Sequence, residues 1–285
     1  MRSPSWYRCA ALDPVEAFRR RLLAQGLSSN TVESYVTDIE LFRRFLESTG
    51  KGLEDATQDD VIEFLGWMRD RGYSQSTIAR RLCAIRAFWA LVKGGRLDVK
   101  WKGRERRLPT WLTEEEVNRL IAACDSVRDR ALLTLMYDAA LRVSEVVNLT
   151  IDDVDFRERT VRVRGKGGKE RVIPITSRSV NALQAYLATR EDSSPYLFPG
   201  RTPDQPLDRT TVYRIIRRAA QRAGIKKPVH PHTLRHSRAT ILRRKGMDLG
   251  ELRLFLGHSD ISTTVIYDHI VLEDIMKRMR QIGEV

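Results

Sequence analysis

The chain has 285 residues, 42% of them hydrophobic, and Lys plus Arg outnumber Asp plus Glu by 50 to 37, a formal net charge of +13. That length suggests about two domains, the apolar share suffices for buried cores, and no apolar run approaches the ~18 residues of a membrane span. The basic excess excludes an acidic, solvating chain and favours a polyanionic partner, with nucleic acid ahead of an anionic membrane.

The opening stretch "MRSPSWYRCAALDPVEAF" lacks the apolar run of a secretory signal, so a cytoplasmic location is expected. Residues 12 to 95 read as an all-α domain. "SSNTVESYVTDIELFRRFLES" (28 to 48) starts with cap-type residues and then sets Val32, Tyr35, Val36, Ile39, Phe42 and Leu46 at helical spacing. "TQDDVIEFLGWMRDRG" (57 to 72) has a Thr cap and a terminal Gly, and "SQSTIARRLCAIRAFWALVKGG" (74 to 95) closes on a Gly pair. The last of these carries Ile78, Leu82, Ile85 and Trp89 on one face, flanked by Arg80 and Arg81, so a small bundle with a basic outer face is expected.

"KGGRLDVKWKGRERR" (93 to 107) has seven basic and two acidic residues and no period, which reads as an exposed basic linker over about 96 to 110. The second domain, 111 to 285, opens on a Thr113/Glu116 capping box. "RDRALLTLMYDAALRVSEVVNL" reads as one helix, and "TVRVRGKGGKERVIPI" (160 to 175) alternates about a Gly-rich turn, which is a β-hairpin. Residues 178 to 282 are mostly helical. The expected fold is therefore mostly α with one small antiparallel sheet, an all-α N-terminal domain followed by an α+β domain. Arginine supplies 40 of the 50 basic residues. Its planar fork suits phosphate and bases, although a GC-rich coding sequence raises the same ratio. Cys9, Cys83 and Cys124 are odd in number and far apart, so buried inert thiols are expected rather than a disulfide framework.

Four stretches concentrate reactive side chains: "LRVSE" (141 to 145), "GKGGKER" (165 to 171), "HTLRH" (232 to 236) and "LGHSDISTTVIYDHI" (256 to 270). Each has a bland reading. Arg142 and Glu145, three apart, make a local helical salt pair. Lys169 in a turn is a solubilising lysine, although Gly165, Gly167 and Gly168 leave room for close approach. His232 and His236 share a helix face at metal-binding spacing, but no Glu follows His232 and Arg235 sets a cation between them, so no metal site is expected. His258 alone is uninformative, and Tyr267 alone is a core or interface tyrosine.

Taken together and in order, "LRVSE", "GKGGKER", "HTLRH", "LGHS" and "STTVIY" resemble the tyrosine site-specific recombinases. "LSSNTVESYVTDIELFRRFL" and "YSQSTIARRLCAIRAFW" are similar to that family's DNA-clamping core-binding domain, so the resemblance covers nearly the whole chain. The length, and the lack of a further domain before residue 14, most resemble the Xer branch, which resolves chromosome dimers. The resemblance implies that Arg142 and Arg235 are the catalytic arginines, Lys169 the hairpin lysine, and His232 and His258 the two histidine positions. It makes Tyr267 the nucleophile, with Glu145 supporting Arg142 and His236 supporting its neighbours. DNA contacts are expected from Arg80, Arg81, Arg86, Lys100 and Lys102. The chain departs from the family pattern at Ala140, where Gly commonly precedes "LR", at Arg238, and in "RLFLGH", which lacks a common Gln.

The implied chemistry suits these residue types. A tyrosine hydroxyl, with a reference pKa of about 10, needs a base or a positive field to attack a phosphodiester. Two guanidiniums can clamp the non-bridging oxygens, histidines can donate to them or accept the phenol proton, and a lysine can protonate the departing 5′-oxygen. No metal ion, ATP or other cofactor is expected. The resemblance implies double-stranded DNA with a specific recombination site as partner. The expected assembly is a homo-tetramer, or a hetero-tetramer with a second recombinase, with a DNA translocase as a possible further partner and no membrane. A phage or transposon integrase is the alternative within the family. A catalytically silent DNA-binding protein and a histidine-based metallohydrolase are alternatives outside it. The C-terminal "VLEDIMKRMRQIGEV" reads as an amphipathic helix, with Val271, Ile275, Met279 and Ile282 near one face, that docks either on its own domain or on a neighbouring protomer.

Overall fold

The computed structural model of the protein describes residues 13–101, 110–165, 170–257 and Met279. The chain divides into two compact units between Arg106 and Arg107. Each is built from its own core.

The N-terminal unit has four helices, α1 (Pro14–Ala24), α2 (Ser29–Ser48), α3 (Gln58–Asp70) and α4 (Gln75–Phe88). Each starts at a side chain that satisfies an otherwise unpaired N–H: Asp13, Ser28, Thr57 and Ser74 accept from the residue three positions on. Gly26, Gly50 and Gly72 follow the first three helices with positive φ, where a left-handed turn is needed to stop them. α4 loosens into a π-helical turn over Trp89–Lys93 and ends at Gly94, whose φ is 72°. The expected apolar stripes face inward. Phe18, Phe42, Phe64 and Phe88 are fully buried, and Phe18 meets Phe88 edge-on with ring centroids 5.4 Å apart.

Two expectations for this unit are corrected. The expected linker is not exposed throughout, because Leu97 and Val99 are buried in the N-terminal core. Cys83 is exposed rather than buried, since the α4 stripe places Leu82 and Ala84 inward and leaves position 83 outside; Cys124 is buried as expected. Burial holds the Cys124 thiol up at about 11, which keeps it protonated and unreactive.

The second unit centres on α6 (Val127–Asp138), apolar almost all round and packed against α8 (Ser177–Leu187) and α10 (Pro231–Arg244). α5 (Glu114–Ala122) starts at the expected Thr113/Glu116 capping box and packs on α9 (Arg209–Arg222). The hairpin is present as β2 (Thr160–Arg164) and β3 (Glu170–Pro174), antiparallel with Val161 opposite Ile173 and Val163 opposite Arg171. A short strand not foreseen from the sequence, β1 (Val154–Asp155), adds an outer edge and gives the order β1-β2-β3. The protein is thus mostly α with one small antiparallel sheet.

The single helix expected over 128 to 149 is two helices. α6 stops at Asp138, and the five-residue α7 (Val143–Val147) begins after Arg142. Ala140 between them has φ +47°. Its N–H donates to the Tyr137 carbonyl and that of Leu141 to the Met136 carbonyl, both at 3.0 Å, which is a Schellman ending. A non-glycine residue there costs about 1–2 kcal/mol. In return the Ala140 methyl is buried beside Ala239, Leu252 and Leu256. The glycine expected at 140 would take this conformation without that cost.

Asp60 is a buried polar anchor of the N-terminal unit. Its Oδ2 accepts from the Thr57 N–H at 2.8 Å and its Oδ1 from Lys51 Nζ at 2.6 Å. Burial pushes its carboxyl up, but the bonds from Lys51 and Thr57 outweigh this and hold it down at about 2 against an ordinary 3.8. A depressed carboxyl stabilises the fold fully above the ordinary value, and this contribution is lost as pH falls towards about 2. Asp60→Asn is therefore expected to destabilise the unit by on the order of 1–2 kcal/mol at neutral pH. The gap to wild type should close in acid, read by urea unfolding followed through tryptophan fluorescence.

Candidate active site

The break after α6 turns Arg142 from a mid-helix residue into the N-cap of α7, so that Glu145 falls at its third position. The Glu145 Oε2 accepts the Arg142 backbone N–H at 2.8 Å and its Oε1 accepts Arg142 Nη1 at 2.7 Å. From β3, Arg171 donates Nη1 to Oε1 and Nη2 to Oε2, each at 3.0 Å. From α10, Arg235 Nη1 stands 3.8 Å from Oε2. The Glu145 side chain is only 4% exposed. One buried carboxylate is thus ringed by three guanidiniums from α7, β3 and α10, leaving an excess of positive charge. Burial pushes the Glu145 carboxyl up. The Arg171 hydrogen bonds, the Arg142 N–H and the Arg171 charge outweigh it, and the net direction is down.

Arg235 is buried and also donates from Nη1 to the Ala140 carbonyl and from Nη2 to the Leu256 carbonyl, both at 2.6 Å. It therefore ties α10 to the left-handed turn after α6 and to the end of α11 (Leu249–Leu256). Gly257, the α11 C-cap with φ +64°, offers its carbonyl to Arg142 Nη2 at 3.4 Å. Arg142 and Glu145 of "LRVSE", Arg171 of "GKGGKER", Arg235 of "HTLRH" and Gly257 of "LGHS" are thus brought together from positions up to 115 residues apart.

His232 lies in the first turn of α10, one turn before Arg235 and exposed. Desolvation of its imidazole, then the positive fields of His230, Arg235 and Arg142, lower its pKa below the ordinary 6.5. A neutral imidazole at neutral pH is a proton acceptor. His230 is the α10 N-cap, its Nδ1 accepting the Thr233 N–H at 3.3 Å. His236 is buried in the next turn. Arg238 donates Nε to the Asp138 carbonyl at 3.2 Å, sits over the Tyr137 ring, and so covers the end of α6. Lys169, His258 and Tyr267 lie outside the described residues, as do Lys102 and the C-terminal segment apart from Met279. Among the described residues, no three His, Cys, Asp or Glu side chains come together as a metal site would require.

Arg171 is the member of this cluster that the sequence reading missed. Its signal was available: in "KERVIP" it occupies the inward phase of an alternating strand, where a charge needs a partner.

In the N-terminal unit, Arg80 and Arg81 are not a free basic face. Arg80 forms a bidentate pair with Asp38, a buried residue of α2, with Nη2 to Oδ1 at 2.9 Å. Arg81 Nε approaches the same carboxylate at 3.4 Å, and its guanidinium stacks on Tyr73. Arg86 donates Nη2 to the Val99 carbonyl at 2.6 Å and, with Arg96 and Lys100, lines an open cleft of about 460 Å³.

Residues 110–273 match the family described as "Phage integrase family", and residues 15–93 match "Phage integrase, N-terminal SAM-like domain". The chain is 36% identical to Tyrosine recombinase XerD of Shewanella oneidensis, covering 93% of each chain. It is 34% identical to Tyrosine recombinase XerA of Pyrococcus horikoshii, covering 94% of this chain and 93% of that one. A crystal structure of XerA recombinase is 28% identical with a TM-score of 0.55, covering 93% of this chain and 98% of that one. XerH recombinase bound to a palindromic difH substrate shares the fold, with a TM-score of 0.75 at 19% identity over 93% of this chain and 94% of that one.

Removing the central carboxylate would leave three guanidiniums facing one another. Glu145→Ala is expected to destabilise the second unit by about 3–5 kcal/mol. Because the Glu145 pKa is lowered, its contribution is present above the ordinary 4.5 and lost as pH falls. Urea unfolding of both proteins across that range should show the difference shrinking in acid.

Proposed function

The chain belongs to the phage integrase family and is a site-specific tyrosine recombinase, and on that premise we propose that it is of Xer type, resolving chromosome or plasmid dimers at one recombination site. What supports the dimer-resolving role is the likeness to relatives named XerD and XerA along almost their full lengths. What supports the catalytic assignment is the ring of guanidiniums on Glu145, which sets Arg142 and Arg235 side by side.

In the proposed reaction the Tyr267 oxygen attacks the scissile phosphorus. The phosphorus–5′-oxygen bond breaks, leaving a 3′-phosphotyrosyl link and a free 5′-hydroxyl. Charge gathers on the non-bridging oxygens, where Arg142 and Arg235 supply cations that stay protonated at any working pH. His232, held neutral, accepts the phenol proton, and His258 adds a donor. Lys169 delivers a proton to the departing oxygen. Rejoining reverses these steps with the 5′-hydroxyl of a partner strand, so the covalent link conserves the bond energy. The metal- and ATP-independence of this scheme follows from arginines doing the electrostatic work.

The proposed assembly is a tetramer on two duplexes, of this chain alone or with a second recombinase, under the control of a translocase and in the cytoplasm. Among the described residues, no helix is long and apolar enough to cross a membrane. Arg80, Arg81, Arg86, Lys100 and Lys102 are proposed to face the DNA. Arg80 and Arg81 would do so with the Asp38 charge already against them, so their phosphate contacts should be weaker than their number suggests.

DNA captured on the chain in cells and sequenced would supply the recombination site for a nicked suicide duplex. Tyr267→Phe is expected to bind that duplex as wild type does and to form no protein–DNA adduct on a denaturing gel. A persisting adduct would remove Tyr267 as the nucleophile. The acid limb of the wild-type cleavage rate is expected below pH 6.5, the ordinary histidine value. His232→Gln should react more slowly and lose that limb.

A further inference from the structure

In β3 the side chains alternate: Glu170, Val172 and Pro174 point outward, while Arg171 and Ile173 point inward. An inward arginine is costly unless paired. Arg171 is 15% exposed, and both of its terminal nitrogens are committed to Glu145. Its Nε is buried with no hydrogen-bond partner among the described residues, so the guanidinium is aimed at the carboxylate at the expense of its third edge.

The opposite side of Arg171 is equally constrained. A Cβ on Gly257 would lie 2.9 Å from the Arg171 Cδ, Nε and Cζ atoms, and Gly257 has φ +64°. The glycine therefore lets the turn after α11 lie flush on the guanidinium. That turn presents the Gly257 carbonyl to Arg142 and immediately precedes His258 in the sequence. Each Glu145 oxygen takes one bond from Arg142 and one from Arg171. With two fixed donors from β3, the carboxylate cannot rotate, and its orientation sets where the Arg142 fork and the adjacent Arg235 stand.

We propose that Arg171 is a positioning residue for strand cleavage: gripping Glu145 from β3 and backing the Gly257 turn, it holds Arg142 and Arg235 in register for the scissile phosphate. This rests on the reading that those two arginines meet the phosphate.

The test uses the full-length protein and the nicked suicide duplex, made once with the natural scissile phosphate and once with a neutral methylphosphonate. Arg171→Lys keeps the charge without the fork, and Arg171→Met removes the charge at similar length. Adduct formation at saturating DNA is expected to fall about 10–100-fold in Arg171→Lys, as for outer-shell partners that orient a ligand, and further in Arg171→Met. DNA affinity, measured in the Tyr267→Phe background, should stay within about threefold of the parent, since the phosphate contacts that dominate affinity lie elsewhere. On the methylphosphonate, whose transition state carries less charge for the arginines to hold, the gap between wild type and variant should narrow by about tenfold.

Variants that cleave the phosphate substrate within about threefold of wild type would overturn the proposal, because positioning groups cost more than that. An equal loss on both substrates would also overturn it, as general damage to the fold. If Arg171→Met does not fold, Arg171→Lys decides alone; if neither folds, Arg171 is a folding residue and the proposal fails. Absence of an adduct in wild type would instead count against the recombinase mechanism itself, so the two failures are distinguishable.

Discussion

The second unit depends on a single buried carboxylate. Glu145 is surrounded by arginines from three separate elements, and no two of those guanidiniums would rest near one another without it. Like charges held close in a partly dry site repel strongly, and a phosphodiester-binding site needs that arrangement. One carboxylate against three guanidiniums resolves the conflict. It screens the repulsion while leaving a net positive field for an anionic substrate, and its hydrogen bonds fix each fork in direction as well as in place. A buried ion cluster of this kind is weak evidence for stability, because desolvation offsets much of the attraction. It is better understood as a device for geometry.

The surrounding backbone is organised to serve that device. The Schellman ending at Ala140 stops α6 and swings Arg142 to the start of α7, where its own N–H meets Glu145. The carbonyl that this turn exposes is taken by Arg235, which also binds the last carbonyl of α11. Arg235 is thereby used to satisfy helix-end carbonyls that would otherwise be buried unpaired. Structural and electrostatic duties fall on the same side chain, so a substitution at Arg235 would change the local fold along with the charge.

The N-terminal unit treats its arginines differently. Asp38 is buried at the α2–α4 contact and gathers Arg80 and Arg81, which places their charge in the packing of the bundle. Arg86, Arg96 and Lys100 line an open cleft instead. An excess of basic residues in the composition therefore does not translate into an equal excess of available phosphate contacts. Which arginine is spent inside and which is left outside is a matter of where the few buried acids lie.

Much of both the fold and the site was legible in the linear chain. Cap residues and apolar periods located α2, α3, α4 and α5, alternation about the Gly-rich turn located β2 and β3, and the ordered motifs identified the family. These signals are local, repeating within one or two turns of chain, and a sequence displays them directly. The left-handed turn at Ala140 was hidden because alanine is the best of helix formers and disguises the break. The inward phase of Arg171 was legible in the alternation of β3, but its partner, 26 residues away in α7, was not. The pairing of Arg80 and Arg81 with Asp38 was hidden for the same reason. The sequence by itself determined the family and most of the helices and strands that carry its motifs. Only the tertiary structure decided which cation faces which anion, because an ion pair is a property of distance in space and leaves no period along the chain.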